Sequence, residues 1–135
     1  MSRIANQVIA ACLCICVISA LFTACRPEIK GPYRGIANNR TGNVSADIYL
    51  VLNETGPVVT GTMYLGSALT GGGNLSGRRD GNEVTFVTHD SLGGRITWTG
   101  KVGRRSIEGS YVAEPAGLRA VLGQSNQYGD WSVKR

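Results

Sequence analysis

From Tyr33 onward the apolar residues fall at every second position in short runs, and each run is closed by residues that favour turns. An alternation of period two sends successive side chains to opposite faces of a strand, so one face of each run packs inward and the other meets solvent. Tyr33, Gly35 and Ala37 share the first such face, and Asn38-Asn39-Arg40-Thr41-Gly42-Asn43 supplies turn chemistry. Ile48, Leu50 and Leu52 carry a second strand into Asn53-Glu54-Thr55-Gly56, and Val59, Gly61, Met63 and Leu65 carry a third. Gly66 to Gly73 reads as a loop, Leu75 and Gly77 as a fourth strand, and Val84 and Phe86 as a fifth. Between these two, Asp80-Gly81 is a strong hairpin signal. His89 to Gly94 turns the chain into Ile96, Trp98, Gly100 and Val102, and Gly103-Arg104 turns it again into Ile107, Gly109 and Tyr111. Residues 114–128 read as a longer loop with a short strand at Leu118 to Leu122, and Trp131 and Val133 close the chain.

One unit recurs within this alternation. Apolar-x-Gly-x-apolar appears as Val59-Gly61-Met63, Trp98-Gly100-Val102 and Ile107-Gly109-Tyr111, with a weaker copy at Leu75-Gly77-Arg79. Glycine on the inward face permits the sharp coiling that closes a small sheet. No stretch after Cys25 keeps a helical period over three turns. The chain is therefore expected to be all-β, with residues 33–135 forming an antiparallel up-and-down barrel of about eight strands. At this length it resembles the avidin-sized and lipocalin-like meander barrels. Those families open on Gly-x-Trp where this chain has Gly31-Pro32-Tyr33, so the resemblance implies the fold and carries over neither biotin nor retinoid binding.

Before the alternation the composition is different. Val8 to Ala24 holds only apolar and small residues apart from Ser19 and Thr23, and Arg3 precedes it, the basic-apolar-small order of a secretory leader. Seventeen such residues would span about 26 Å as a helix, short of the roughly 30 Å hydrocarbon core, which favours a cleaved leader over a membrane span. Phe22-Thr23-Ala24-Cys25 resembles the lipobox of bacterial lipoproteins, with phenylalanine where leucine is usual. The resemblance implies a signal peptide over residues 1–24, acylation of Cys25 by diacylglyceryl and palmitate-type chains, and a tether over residues 25–32. Arg26 in place of an aspartate resembles the sorting context of the outer membrane, so the domain is expected to face the periplasm. All four cysteines lie at or before position 25, so no disulfide joins two points of the barrel.

The chain carries 14 Lys and Arg against 9 Asp and Glu, a mild excess that gives no nucleic-acid signature. In a meander, alternate turns share an end. The cations Arg78, Arg79, Arg104, Arg105, Lys134 and Arg135 are thereby expected at the end where both termini emerge, facing an anionic membrane surface. The opposite end would hold the longer loops 38–43, 66–73, 89–94 and 114–128, where a binding site is expected.

Candidate chemistry is sparse. His89-Asp90-Ser91 has the residue types of a catalytic triad, but three neighbours in one turn do not converge on a substrate, and no catalytic residue is assigned. One histidine and no further thiol argue against a His/Cys metal site, and Gly66 to Gly73 lacks the lysine and helix of a phosphate loop. No cofactor is expected. Tyr33, Phe86, Trp98, Tyr111 and Trp131 share the inward parity and either line a pocket for a small apolar ligand or fill the barrel. Tyr49 and Tyr64, on the outward parity, form a candidate protein interface. The reading is a lipid-anchored, non-enzymatic binding or interaction module of the cell envelope. Its rivals are an inhibitor of an envelope protease or lysozyme, and a structural or assembly accessory.

Overall fold

The computed structural model describes residues 26–135. Eight strands follow one another in sequence: β1 (Gly31–Asn39), β2 (Val44–Thr55), β3 (Val58–Leu65), β4 (Gly73–Asp80), β5 (Glu83–His89), β6 (Arg95–Val102), β7 (Ser106–Glu114) and β8 (Gln127–Lys134). Each pairs antiparallel with the next, and β8 returns to β1 through partners such as Ala37 and Trp131, so the sheet is a closed up-and-down barrel. The expected fold is the one observed, and closure leaves no sheet edge unpaired. The leader over 1–24 and Cys25 lie outside the described residues.

The inward parity is the one read from the sequence. Leu50, Val59, Met63, Val84, Phe86, Trp98, Ile107, Trp131 and Val133 are buried at the centre. The inward glycines are where strands press closest: a side chain at Gly61 would run into the Val51 carbonyl, and one at Gly109 into that of Thr99. The tight coiling of this barrel thus depends on positions that have no room for a methyl group.

Two expectations are corrected. Leu118 to Leu122 is not a strand: Leu118–Val121 forms one turn of helix, α1. Gly117 and Gly123 flank it with positive φ, a backbone conformation that coils the segment off the barrel wall instead of extending it along a neighbour. The tether over 25–32 is also not free. Ile29 is fully buried in the core, and Gly31 and Pro32 already belong to β1.

Segment 26–30 closes one end of the barrel like a stopper. Glu54 accepts hydrogen bonds from the Ile29 backbone N–H at 3.0 Å and from Arg26 at 2.8 Å. Arg79, only 3% exposed, donates to the Pro27 carbonyl at 2.6 Å, the Gly81 carbonyl at 2.8 Å and Glu54 at 2.9 Å. Arg79 therefore leaves the group of cations expected to face a membrane, because its charge is spent on an internal ion pair. Arg135 is tied down as well, donating to the Tyr33 hydroxyl at 3.0 Å and to the Glu28 carbonyl. Arg78, Arg104, Arg105 and Lys134 remain exposed at this end.

Candidate functional site: the open mouth of the barrel

The aromatic residues expected as either lining or filling all pack in the core, and two of them also line a cavity. Phe86 and Trp131 are packed edge to face at 5.6 Å in the middle of the barrel, and Trp131 donates its indole N–H to the Thr99 and Ser110 carbonyls. Tyr33 sits at the stoppered end under the Arg135 guanidinium. Trp98 and Tyr111, with ring centroids 4.6 Å apart, lie at the opposite end and line a cavity. All five thus belong to the packed core, and Trp98 and Tyr111 also border the mouth.

The mouth is where the four longer loops meet. Its cavity has a volume of about 250 Å³ and takes lining from all four, with Leu65, Leu69, Ile96 and Ala113 as apolar wall beside Trp98 and Tyr111. The Trp98 indole is fixed by a hydrogen bond to the Thr88 hydroxyl at 3.0 Å. The Tyr111 ring lies flat over Gly129, where any side chain would collide with it. Sequence position alone gave no hint that Gly129 makes this space.

The polar rim is built from pairs. Asp90 accepts from the backbone N–H groups of Leu92 and Gly94 at 2.9 and 2.8 Å and from Arg119 at 2.6 Å. Burial opposes ionisation of Asp90, but these donors and the Arg119 charge outweigh it and hold the carboxyl below its ordinary value. Gly94 makes room for the pair, since a side chain there would come within 2.5 Å of the Asp90 carboxylate and 3.0 Å of Arg119. Across the mouth Asn39 donates to Gln127 at 2.6 Å and accepts from the Gly42 N–H at 2.9 Å. The Asp90–Arg119 pair latches the β7–β8 loop onto the β5–β6 turn, so the long loop forms one wall of the cavity.

Two polar atoms on this wall are buried and have no partner: the Tyr111 hydroxyl and the Arg119 Nε. Burial raises the Tyr111 phenol above its ordinary value, helped by the negative charge of Asp130. His89 points outward and is exposed, so the His89-Asp90-Ser91 run does not converge. Among the described residues no group of three potential metal ligands occurs.

Outside the barrel, Tyr49 and Tyr64 pack with tilted rings at 6.1 Å on the outward face of β2 and β3, and Arg34 lies over the Tyr49 ring. The site residues that sequence reasoning passed over are Asn39, Gln127, Leu69 and Gly129. Asn39 carried a usable signal, because it continues the inward parity of Tyr33, Gly35 and Ala37 as a polar residue. The chain matches no family model, no curated protein and no solved structure.

Proposed function

We propose that this protein is a lipid-anchored envelope protein whose barrel is a non-enzymatic binding module, with its site in the cavity at the open mouth. The observation that carries the binding half is the asymmetry of the two ends. One is sealed by Ile29 and the Glu54–Arg79 pair, and the other holds a loop-walled space floored by an indole and a phenol. Apolar walls with a few placed polar groups are the usual make-up of small-molecule sites. The anchoring half rests on the sequence: the leader over 1–24 and Phe22-Thr23-Ala24-Cys25. Acyl chains on Cys25 would hold the sealed end against the membrane, with Arg78, Arg104, Arg105 and Lys134 toward anionic headgroups and the mouth turned into the periplasm.

Two measurements test the two halves. The intact mass of membrane-extracted protein should lack residues 1–24 and carry acyl chains, and Cys25→Ser should lose them and leave the outer-membrane fraction. An unacylated wild-type protein sinks the anchor. For the site, acetophenone or ethylbenzene should shift the Trp98 indole N–H resonance, and Ala113→Phe, which fills the cavity from its wall, should remove the shift. If neither molecule moves that resonance, the mouth is not a binding site.

A further inference from the structure

The hydrogen-bonding groups around the mouth are unevenly used. Several acceptors are engaged: both Asp90 oxygens take donors, the Asn39 amide oxygen takes the Gly42 N–H, and the Gln127 amide oxygen takes Asn39. What is left over on the buried wall is the Tyr111 hydroxyl and the Arg119 Nε. Arg119 Nε is a donor only, and a phenol whose ionisation is opposed keeps its proton and donates. A buried polar group without a partner is destabilising, so whatever supplies an acceptor here gains beyond its apolar contact.

Charge narrows the class further. The Arg119 guanidinium is already balanced by Asp90 at 2.6 Å, and Glu114 adds a second carboxylate to the rim. A carboxylate or phosphate entering the cavity would face that excess of negative charge, and the cavity lining holds no unpaired cation to meet it. Size narrows it again. At ~30 Å³ per liquid water, the cavity holds about eight waters or an organic molecule of that bulk, below the usual range for drug-sized ligands.

Building on the mouth as a binding site, we infer that it selects small uncharged molecules that present a carbonyl-type acceptor on an aromatic or aliphatic body. The body lies against Trp98, Leu65 and Leu69, and the acceptor takes the donors of Tyr111 and Arg119. Both donors are closed to solvent as the loops stand, so the acceptor reaches them with a small outward shift of the β7–β8 loop, which the Asp90–Arg119 latch then re-closes.

The test uses the full-length chain and three molecules of one shape: acetophenone with a neutral acceptor, ethylbenzene without one, and benzoate with a charge. Binding is followed by the Trp98 indole N–H shift at equal concentrations. Acetophenone should bind at least tenfold more tightly than either of the others. Tyr111→Phe, with its fold checked by the dispersion of the amide spectrum, should lower acetophenone affinity at least fivefold and leave ethylbenzene unchanged. Gly94→Ala, which displaces the latch, should weaken acetophenone while leaving the barrel core intact. Equal binding of acetophenone and ethylbenzene overturns the inference but leaves the mouth as an apolar site. Tighter binding of benzoate overturns it in favour of an anion site, and binding of none overturns both readings.

Discussion

Gly109 shows how much a single missing methyl group can decide. A Cβ there would meet the Thr99 carbonyl on the adjacent strand, and the obstacle is backbone, which cannot swing aside as a side chain would. Gly109→Ala should therefore cost about 3 kcal/mol or more, at or beyond the upper end of ordinary overpacking. Ser110→Ala, one residue on and exposed, should stay within about 0.5 kcal/mol. Denaturant unfolding of the two variants measures the contrast, and equal values would mean the strands are looser than described. The recurring apolar-x-Gly-x-apolar unit made this class of position visible in advance, because period two fixes which face each glycine takes. The polar counterpart was equally visible and easily overlooked. Asn39, Arg79 and Thr88 all continue an inward parity, and all three are the buried polar residues of their strands. A polar residue on an inward parity reads most simply as the end of a strand, and only the folded geometry shows that each one meets a partner.

Two elements behave differently from their sequence signals, and each carries a prediction. The stretch 26–32 reads as a tether because two prolines, a glycine and charges dominate it. Its single isoleucine and its backbone groups nonetheless find a socket made by Glu54 and Arg79, residues far away in the chain. Ile29→Ala should cost about 2–5 kcal/mol as a fully buried truncation. Glu54→Gln, which strands the Arg79 charge, should cost about 3–5 kcal/mol. Both act on one stopper, so the double variant should lose less than the sum of the two. A tether would leave the melting temperature of Ile29→Ala unmoved. The loop between β7 and β8 is the second case. Its apolar alternation at Leu118, Ala120 and Leu122 mimics a strand, but Gly117 and Gly123 coil it and Arg119 pins it to Asp90. Because Asp90 ionises below its ordinary value in the folded state, the stability it supplies is complete above the unfolded carboxyl pKa. That stability is lost as pH falls through the lowered folded one. Asp90→Asn should thus destabilise by about 1–3 kcal/mol at neutral pH, and its gap to wild type should close between about pH 5 and pH 2. A gap that stays constant with pH would assign the effect to packing.

At the scale of the whole molecule, the fold was legible because it is local. Every strand pairs with its sequence neighbour, so turn chemistry and alternation fix nearly all of the topology, and the pairing of β8 with β1 follows from the need to cover both edges. The site was legible only in outline. Alternating turns place the four long loops at one end, but which side chains meet there depends on the coiling of the strands. Which two of the five core aromatics also border the cavity could not be read from parity alone. Tyr111 adds a molecular pH dependence of opposite sign to that of Asp90. Its phenol ionises later in the folded than in the unfolded chain, so the stability this supplies is present below about pH 10 and fades as pH rises through the folded value. The Tm of wild type should therefore fall more steeply between pH 9 and pH 11 than that of Tyr111→Phe, and parallel curves would place the hydroxyl in water.

The stopper also bears on the order of events in the life of the chain. Arg26 is bonded to Glu54, and Ile29 is packed in the core, so the folded domain begins one residue after Cys25. On the lipoprotein reading, the enzymes that acylate and cut at Cys25 must gain access to the backbone that follows it. Once the barrel has closed, the residues that follow Cys25 are held in the stopper. Maturation would then have to outrun folding, or a folded barrel would have to release its own first residues before it could be anchored.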